Sequence, residues 1–206
     1  MLKKWILTAV CLCALAAPAY GLEAMDALKE PIDRFIVVLK DPQYKDASKK
    51  EVQREKIWAI INEVFDFEAV SRLAVGQNWK RFSDEEKKTF IKYFSDLLGT
   101  NYIRKIQEGY TNEKVSFLSQ EKIADNRAMV KTKIVRQRSD IPVDYAMFLN
   151  AGKWRVYDVK VEGVSLVQNY REQFGQILIN KPPAYLIDRV KTKAEEVRKG
   201  GETDKL

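Results

Sequence analysis

A chain of 206 residues with 36 Lys and Arg against 29 Asp and Glu carries a net charge of +7, and it contains no histidine. Its two cysteines, Cys11 and Cys13, both fall in the first segment, so Ser-His-Asp and Cys-His nucleophilic arrangements are excluded beyond it. A metal site there is confined to carboxylates, and the sequence has no Asp-x-Asp-x-Asp-Gly loop for calcium and no glycine-rich nucleotide motif.

The amino terminus reads as an address. Lys3 and Lys4 precede an apolar run from Trp5 to Ala17, followed by the small residues of Ala17-Pro18-Ala19 and Ala19-Tyr20-Gly21. The run is shorter than the roughly 20 apolar residues a membrane span needs. Residues 1–21 are therefore predicted to be a cleaved signal peptide, cut after Gly21 or two residues earlier. Loss of Lys3 and Lys4 with it lowers the charge from +7 to +5. That surplus serves solubility, or attraction to an acidic partner or anionic membrane surface. Nucleic acid is not expected as a partner, because no Lys/Arg block with interleaved aromatics occurs. Without disulfides the exported chain depends on a core, and about 185 residues are enough to build one. One domain is predicted over residues 22–198, with 199–206 a polar tail.

Ile32, Phe35, Ile36 and Leu39 lie at the spacing of one helical face, with Pro31 suited to the first turn and Asp41-Pro42 to the end. A second helix is predicted from Ser48 to Phe65 on Ile57, Ile60, Ile61 and Val64, and a short third from Asp66 to Val75, stopped by Gly76. Ser83-Asp84-Glu85-Glu86 is a capping box. It opens a long helix striped by Phe90, Phe94, Leu97, Leu98, Tyr102 and Ile106 and ending near Gly109, within which Gly99 allows close approach of another element.

The period then changes from 3.6 to 2. Val115, Phe117 and Ile123 mark a first strand region, Met129–Val135 a second, Ile141–Leu149 a third and Lys153–Val161 a fourth. Ala151-Gly152 is a hairpin turn, making the last two antiparallel. In the fourth strand Trp154 and Val156 alternate out of phase with Tyr157, Val159 and Val161, so either both faces are covered or a bulge lies near Tyr157-Asp158. Two helices close the chain, striped by Val167, Tyr170, Phe174, Ile177 and Leu178, then by Ile187, Val190, Ala194 and Val197 after Pro182-Pro183. The class is α+β, and a curved sheet wrapped by helices leaves room for a cavity between the layers.

Few acids stand where chemistry is plausible. Asp66 and Glu68 are either helix-start caps or a carboxylate pair for acid–base work. Asp158, between Tyr157 and Val159 in a strand, is either a buried structural partner or a catalytic acid.

Three stretches resemble the periplasmic phospholipid-binding family of the Mla lipid-transport pathway, the MlaC or toluene-tolerance family. The first runs from Phe65-Asp66-Phe67-Glu68 through Arg72-Leu73 to Gly76-Gln77-Asn78-Trp79, and the second is Phe90-Ile91-Lys92-Tyr93-Phe94-Ser95-Asp96-Leu97-Leu98 with Tyr102. The third joins Trp154-Arg155-Val156-Tyr157-Asp158-Val159 to Glu162-Gly163-Val164-Ser165-Leu166-Val167, Tyr170-Arg171 and Phe174-Gly175-Gln176-Ile177-Leu178. Each piece is short, and their order and spacing carry the similarity.

The resemblance implies helices wrapped on a twisted four-stranded antiparallel sheet, NTF2-like, with an internal hydrophobic cavity. It implies a periplasmic monomer that carries phospholipid as cargo, without cofactor, metal or catalysis. Its implied partners are an inner-membrane ABC transporter complex with an MCE-domain subunit and an outer-membrane lipoprotein complex. On that reading the expected lipid contacts from the strands are Val130, Ile134, Val143, Tyr145, Met147, Trp154 and Val156. From the helices they are Phe67, Val70, Leu73, Phe94, Leu97, Leu98, Tyr102, Val164, Val167, Phe174 and Leu178. An enzyme on the same cone-shaped fold, and an interaction module whose cavity is filled by its own side chains, are the rival readings.

Overall fold

Apolar spacing extends the first helix further back than its proline suggests. The structure, a computed structural model, describes residues 23–200; the predicted signal peptide and most of the polar tail lie outside them. Helix α1 (Ala24–Lys40) contains Pro31 in its interior instead of its first turn. Ala24 and Leu28 are buried and Ile32 packs against the same cluster, a four-residue repeat that holds the helical path through the proline. An interior proline costs about 3 kcal/mol, and burying two or three apolar side chains offsets that.

Local signals set the next boundaries. Asp41 closes α1 and caps a 3-10 turn at Pro42–Tyr44; Asp46 caps a second at Ala47–Lys49, which runs into α2 (Lys50–Val64). Asp66 caps α3 (Phe67–Val75) by accepting from the Ala69 amide at 2.7 Å, and Gly76 ends it at φ 63°, a conformation that favours glycine. After a 3-10 turn, α4 (Asp84–Gly109) opens with both bonds of the capping box, Ser83 to Glu86 and back. Gly99 lets the Trp58 ring lie against the helix: a Cβ there would stand 2.4 Å from its nearest ring carbon.

The strands form one antiparallel sheet in sequence order: β1 (Lys114–Ala124), β2 (Arg127–Val135), β3 (Ile141–Asn150), β4 (Lys153–Val161) and β5 (Val164–Ser165). The two-residue β5 makes it five-stranded; Glu162 and Gly163, both at positive φ, turn β4 back onto it. Ala151 and Gly152, also at positive φ, form the β3–β4 hairpin turn that the sequence predicts. Leu118 and Ile123 fall at register shifts in β1 and stand 56% and 55% exposed, so Ile123 is not an inward residue of that strand. Helices α5 (Leu166–Asn180) and α6 (Pro183–Arg198) complete the fold, and no described helix is long and apolar enough to cross a membrane.

Helix carboxyl ends leave unpaired carbonyls, and four arginines answer this need from other elements. Arg155 on β4 donates to the Glu63 carbonyl of α2 at 2.8 Å, and Arg171 on α5 to the Leu73 carbonyl of α3 at 2.7 Å. Arg81 donates to the Leu178 carbonyl of α5 at 2.6 Å, and Arg104 on α4 to the Val197 carbonyl of α6 at 3.1 Å. These charge-assisted bonds lock α3 to α5 and α4 to α6.

The Gly99–Trp58 contact yields a direct check. Gly99→Val should destabilise the protein by about 1–3 kcal/mol through overpacking. Adding Trp58→Leu should return part of that loss in a urea double-mutant cycle. Strict additivity would place the strain elsewhere.

Candidate functional site

Register decides which strand residues face the helices. Val143, Tyr145 and Met147 of β3 stand beside Thr132, Val130 and Ala128 of β2, and beside Val161, Val159 and Val156 of β4. The β3–β4 register shifts between the pairs Ala146–Asp158 and Met147–Val156, leaving Tyr157 as the extra residue of a bulge. The bulge returns Val159 and Val161 to the face of Trp154 and Val156, resolving the broken alternation in favour of one apolar face. Thr132, buried on that face, satisfies its hydroxyl by donating to the Val143 carbonyl at 2.8 Å.

Two apolar clusters flank the junction of sheet and helices. The first joins Ala24 and Leu28 of α1 and Val64 of α2 to Val130, Met147 and Val156 of the sheet. The second fills the space between α3, α4, α5 and α6 around the rings of Phe90, Phe94 and Phe174, which lie 5.1 to 5.5 Å apart. Phe65 packs against both. It stacks on Phe67 at 5.7 Å, and Phe67 meets Trp58 at 5.2 Å, so an aromatic seam runs between the layers.

The expected lipid contacts divide between these clusters. Val130, Tyr145, Met147, Trp154 and Val156 belong to the sheet cluster. Phe67, Val70, Leu73, Phe94, Leu97, Leu98, Val167, Phe174 and Leu178 belong to the helical one. Val143 is buried on the inner face, and Ile134 is half-buried near the end of β2. Two positions differ from expectation. Val164 is 63% exposed, because β5 pairs with the last residues of β4 alone and nothing covers it. Tyr102 is 38% exposed, because the buried positions of α4 beyond Leu98 are Gly99, Thr100, Asn101 and Ile103.

Ala24 and Leu28 line the sheet cluster, Phe65 packs against both clusters and Trp58 against Phe67, and the sequence does not mark any of the four as a site residue. The four-residue spacing of Ala24, Leu28 and Ile32 was the available signal, masked by taking Pro31 as the helix start. Two surface clefts, of about 530 Å³ between α1 and α2 and about 410 Å³ at the end of α4, are lined by none of the expected contacts. The expected contacts close on one another instead.

Tyr145 is half-buried, like Phe67, Leu73, Ile134 and Trp154 among the expected contacts. Its side chain is enclosed enough that burial pushes its hydroxyl up to about 12. Tyr170, buried beside Tyr102, is also held well above the usual phenol range, with a hydrogen bond from Asn101 pulling the other way.

Two of the three candidate acids are structurally engaged, and the third, Glu68, is exposed in the first turn of α3. Asp158 accepts from the Ser165 hydroxyl at 2.6 Å and the Val167 amide at 3.0 Å, fixing the start of α5 to the bulge, and Asp66 caps α3. Among the described residues no group of three His, Cys, Asp or Glu is placed to hold a metal ion.

The Tyr145 environment has a pH signature. Its folded value of about 12 lies above the ordinary value of 10.0, so the neutral form favours the folded state. This stabilisation is complete below pH 10 and is lost as pH rises through the folded value, at about 1.4 kcal/mol per unit. Urea melts across this alkaline window should decline more shallowly for Tyr145→Phe than for the parent protein. Equal slopes would assign the decline to other groups.

Comparison with known proteins supplies the family. A family model described as MlaC protein matches residues 29–192. The intermembrane phospholipid transport system binding protein MlaC of Haemophilus influenzae is 22% identical over 164 residues, covering 77% of this chain and 72% of that protein. A solved structure of a phospholipid-binding protein from Ralstonia solanacearum, in complex with a phospholipid, superposes with a TM-score of 0.73 at 19% identity, covering 85% of this chain and 98% of that one. With the family model spanning well over half its length, the chain belongs to the MlaC family.

Proposed function

We propose that this protein is a periplasmic phospholipid carrier that moves lipid between inner- and outer-membrane complexes and catalyses no reaction. The observation that carries the proposal is the apolar interior divided along the Phe65 seam, in a chain of the MlaC family. The Haemophilus influenzae relative is described as a phospholipid transport binding protein, and the Ralstonia solanacearum protein of the same fold holds a phospholipid. In this reading a cleaved signal takes the chain to the periplasm. An ABC transporter complex with an MCE-domain subunit and an outer-membrane lipoprotein complex serve as donor and acceptor, and lipid is cargo instead of cofactor.

Free-energy magnitudes suit such a role. Burying a methylene is worth about 0.8 kcal/mol, so roughly 30 methylenes of a diacyl lipid resist water by on the order of 24 kcal/mol. Transfer from one apolar site to another cancels most of that sum. A carrier therefore needs an apolar interior that admits the tails, and no reactive group. Acyl chains are proposed to enter beside the half-buried Tyr145 and extend between Met147, Val156, Phe65 and Phe67. The rival enzyme loses its best acid, because both Asp158 oxygens serve the α5 start.

Native mass spectrometry of protein purified without detergent should show co-purified phospholipid. A ligand-free mass, with no lipid uptake from liposomes, would overturn the carrier. Tyr145→Trp, which enlarges the side chain at the proposed entry point, should lower lipid occupancy several-fold while the fold persists by circular dichroism; unchanged occupancy would move the entry point elsewhere. Asp158→Asn should cost about 1 kcal/mol in urea denaturation through a weakened helix start. Its lipid loading should stay at the parent level, and a lost turnover would favour the enzyme.

A further inference from the structure

Three lysines from separate turns of chain converge where helix ends meet. The cleft of about 410 Å³ lies between the carboxyl ends of α1 and α4 and the amino end of α2, and its lining includes Lys40, Lys45 and Lys50 but no carboxylate. Among the described residues no ion pair engages these three lysines. The acids nearest in sequence are held by other groups: Asp41 by Gln43, Asp46 by Ser48, Glu51 by Arg54, and Glu113 by Thr111 and Arg136.

Beneath the lysines is a tied amide network. Gln53, 2% exposed, donates to the Val38 carbonyl at 2.9 Å and accepts from Gln107 at 2.8 Å. Gln107 in turn donates to the Lys50 carbonyl at 3.1 Å, binding α4 to the start of α2. The bonds hold the cleft walls at fixed spacing, and its volume falls within the range of about 300–1,000 Å³ typical of small-molecule sites.

Neutralisation of helix ends does not account for so much charge. The carboxyl ends of α1 and α4 contribute about −0.5 each and the amino end of α2 about +0.5, which leaves an excess near +2.5. Counting Asp41 and Asp46 in full, since their hydrogen-bond partners Gln43 and Ser48 are neutral, leaves about +0.5. Three lysines lining one cleft with no carboxylate in its wall repel one another, and a compact anion among them relieves that repulsion. A phosphate group is such an anion and presents several acceptor oxygens to ammonium donors.

We propose that this cleft is a binding site for a phosphate group, carried on a phospholipid headgroup or present as free inorganic phosphate. The site does not depend on the carrier reading, because the same three charges meet the anion whatever the apolar layers hold.

The test titrates the purified protein with sodium phosphate, against sodium chloride at matched ionic strength, by amide NMR. In parallel, flotation measures binding to phosphatidylglycerol vesicles, with phosphatidylcholine vesicles as the uncharged control. Phosphate should shift the amides around Lys45, Lys50 and Asn112. The combined Lys40→Ala, Lys45→Ala and Lys50→Ala variant should bind about tenfold more weakly or worse, with its melting temperature retained. The single variant Lys45→Ala, on the exposed loop before α2, should show a smaller loss if the triple variant folds poorly. Lysine-dependent binding of vesicles alone identifies the lipid headgroup as the source, and of phosphate alone the free anion. No phosphate shift at the cleft, with vesicle binding indifferent to the three lysines, overturns the proposal. A lowered melting temperature with unchanged anion binding overturns it too, leaving the lysines as partners of the helix ends.

Discussion

One short junction ties the sheet to the helices through backbone atoms. Phe65 forms a parallel bridge with Val156, and the next amide, that of Asp66, donates to the Val156 carbonyl at 3.0 Å. The same two residues place the Phe65 ring against both apolar clusters and start α3 through the Asp66 cap. A backbone hydrogen bond shielded from water is costly to leave unmade, so this bond helps hold the two layers together. Any guest between the layers has to be accommodated around the junction.

The helices divide by how firmly they are held. Carboxyl ends of α2, α3, α5 and α6 are each bound by an arginine from another element. Helix α1 is tied differently, by the Met25 amide to Gln120 at 2.7 Å at one end and by Gln53 to its Val38 carbonyl at the other. It fully buries only Ala24 and Leu28, whereas α4 fully buries eight residues. Since local stability follows buried apolar contact, the helix covering the inner sheet face is also the one held least by its core.

Much of the local architecture was legible in the sequence. Ser83 and Glu86 announce a helix start, Asp66 and Gly76 bracket a short helix, and the change of period near Val115 marks the sheet. The broken alternation at Tyr157 allowed either two covered faces or a bulge, and the register contains a bulge. Pro31 misled because its rule concerns isolated helices, while the path of α1 follows its contact with the sheet. Leu118 and Ile123 follow from register: whether a strand residue faces in or out depends on where its partner strand slips. Val164 is exposed because the two-residue β5 pairs only with the end of β4.

The sequence by itself determined the helix boundaries that carry their own caps, the hairpin turns, and a chemistry without histidine or any cysteine beyond Cys13. These are properties of neighbouring residues, whose hydrogen bonds form within a few positions along the chain. Only the tertiary structure decided that Phe65 joins two apolar clusters, that Tyr145 packs against the sheet cluster, and that Lys40, Lys45 and Lys50 share a cleft with Gln107 and Tyr110. Those relations connect elements far apart in sequence. They are set by register and helix packing, which no local pattern encodes.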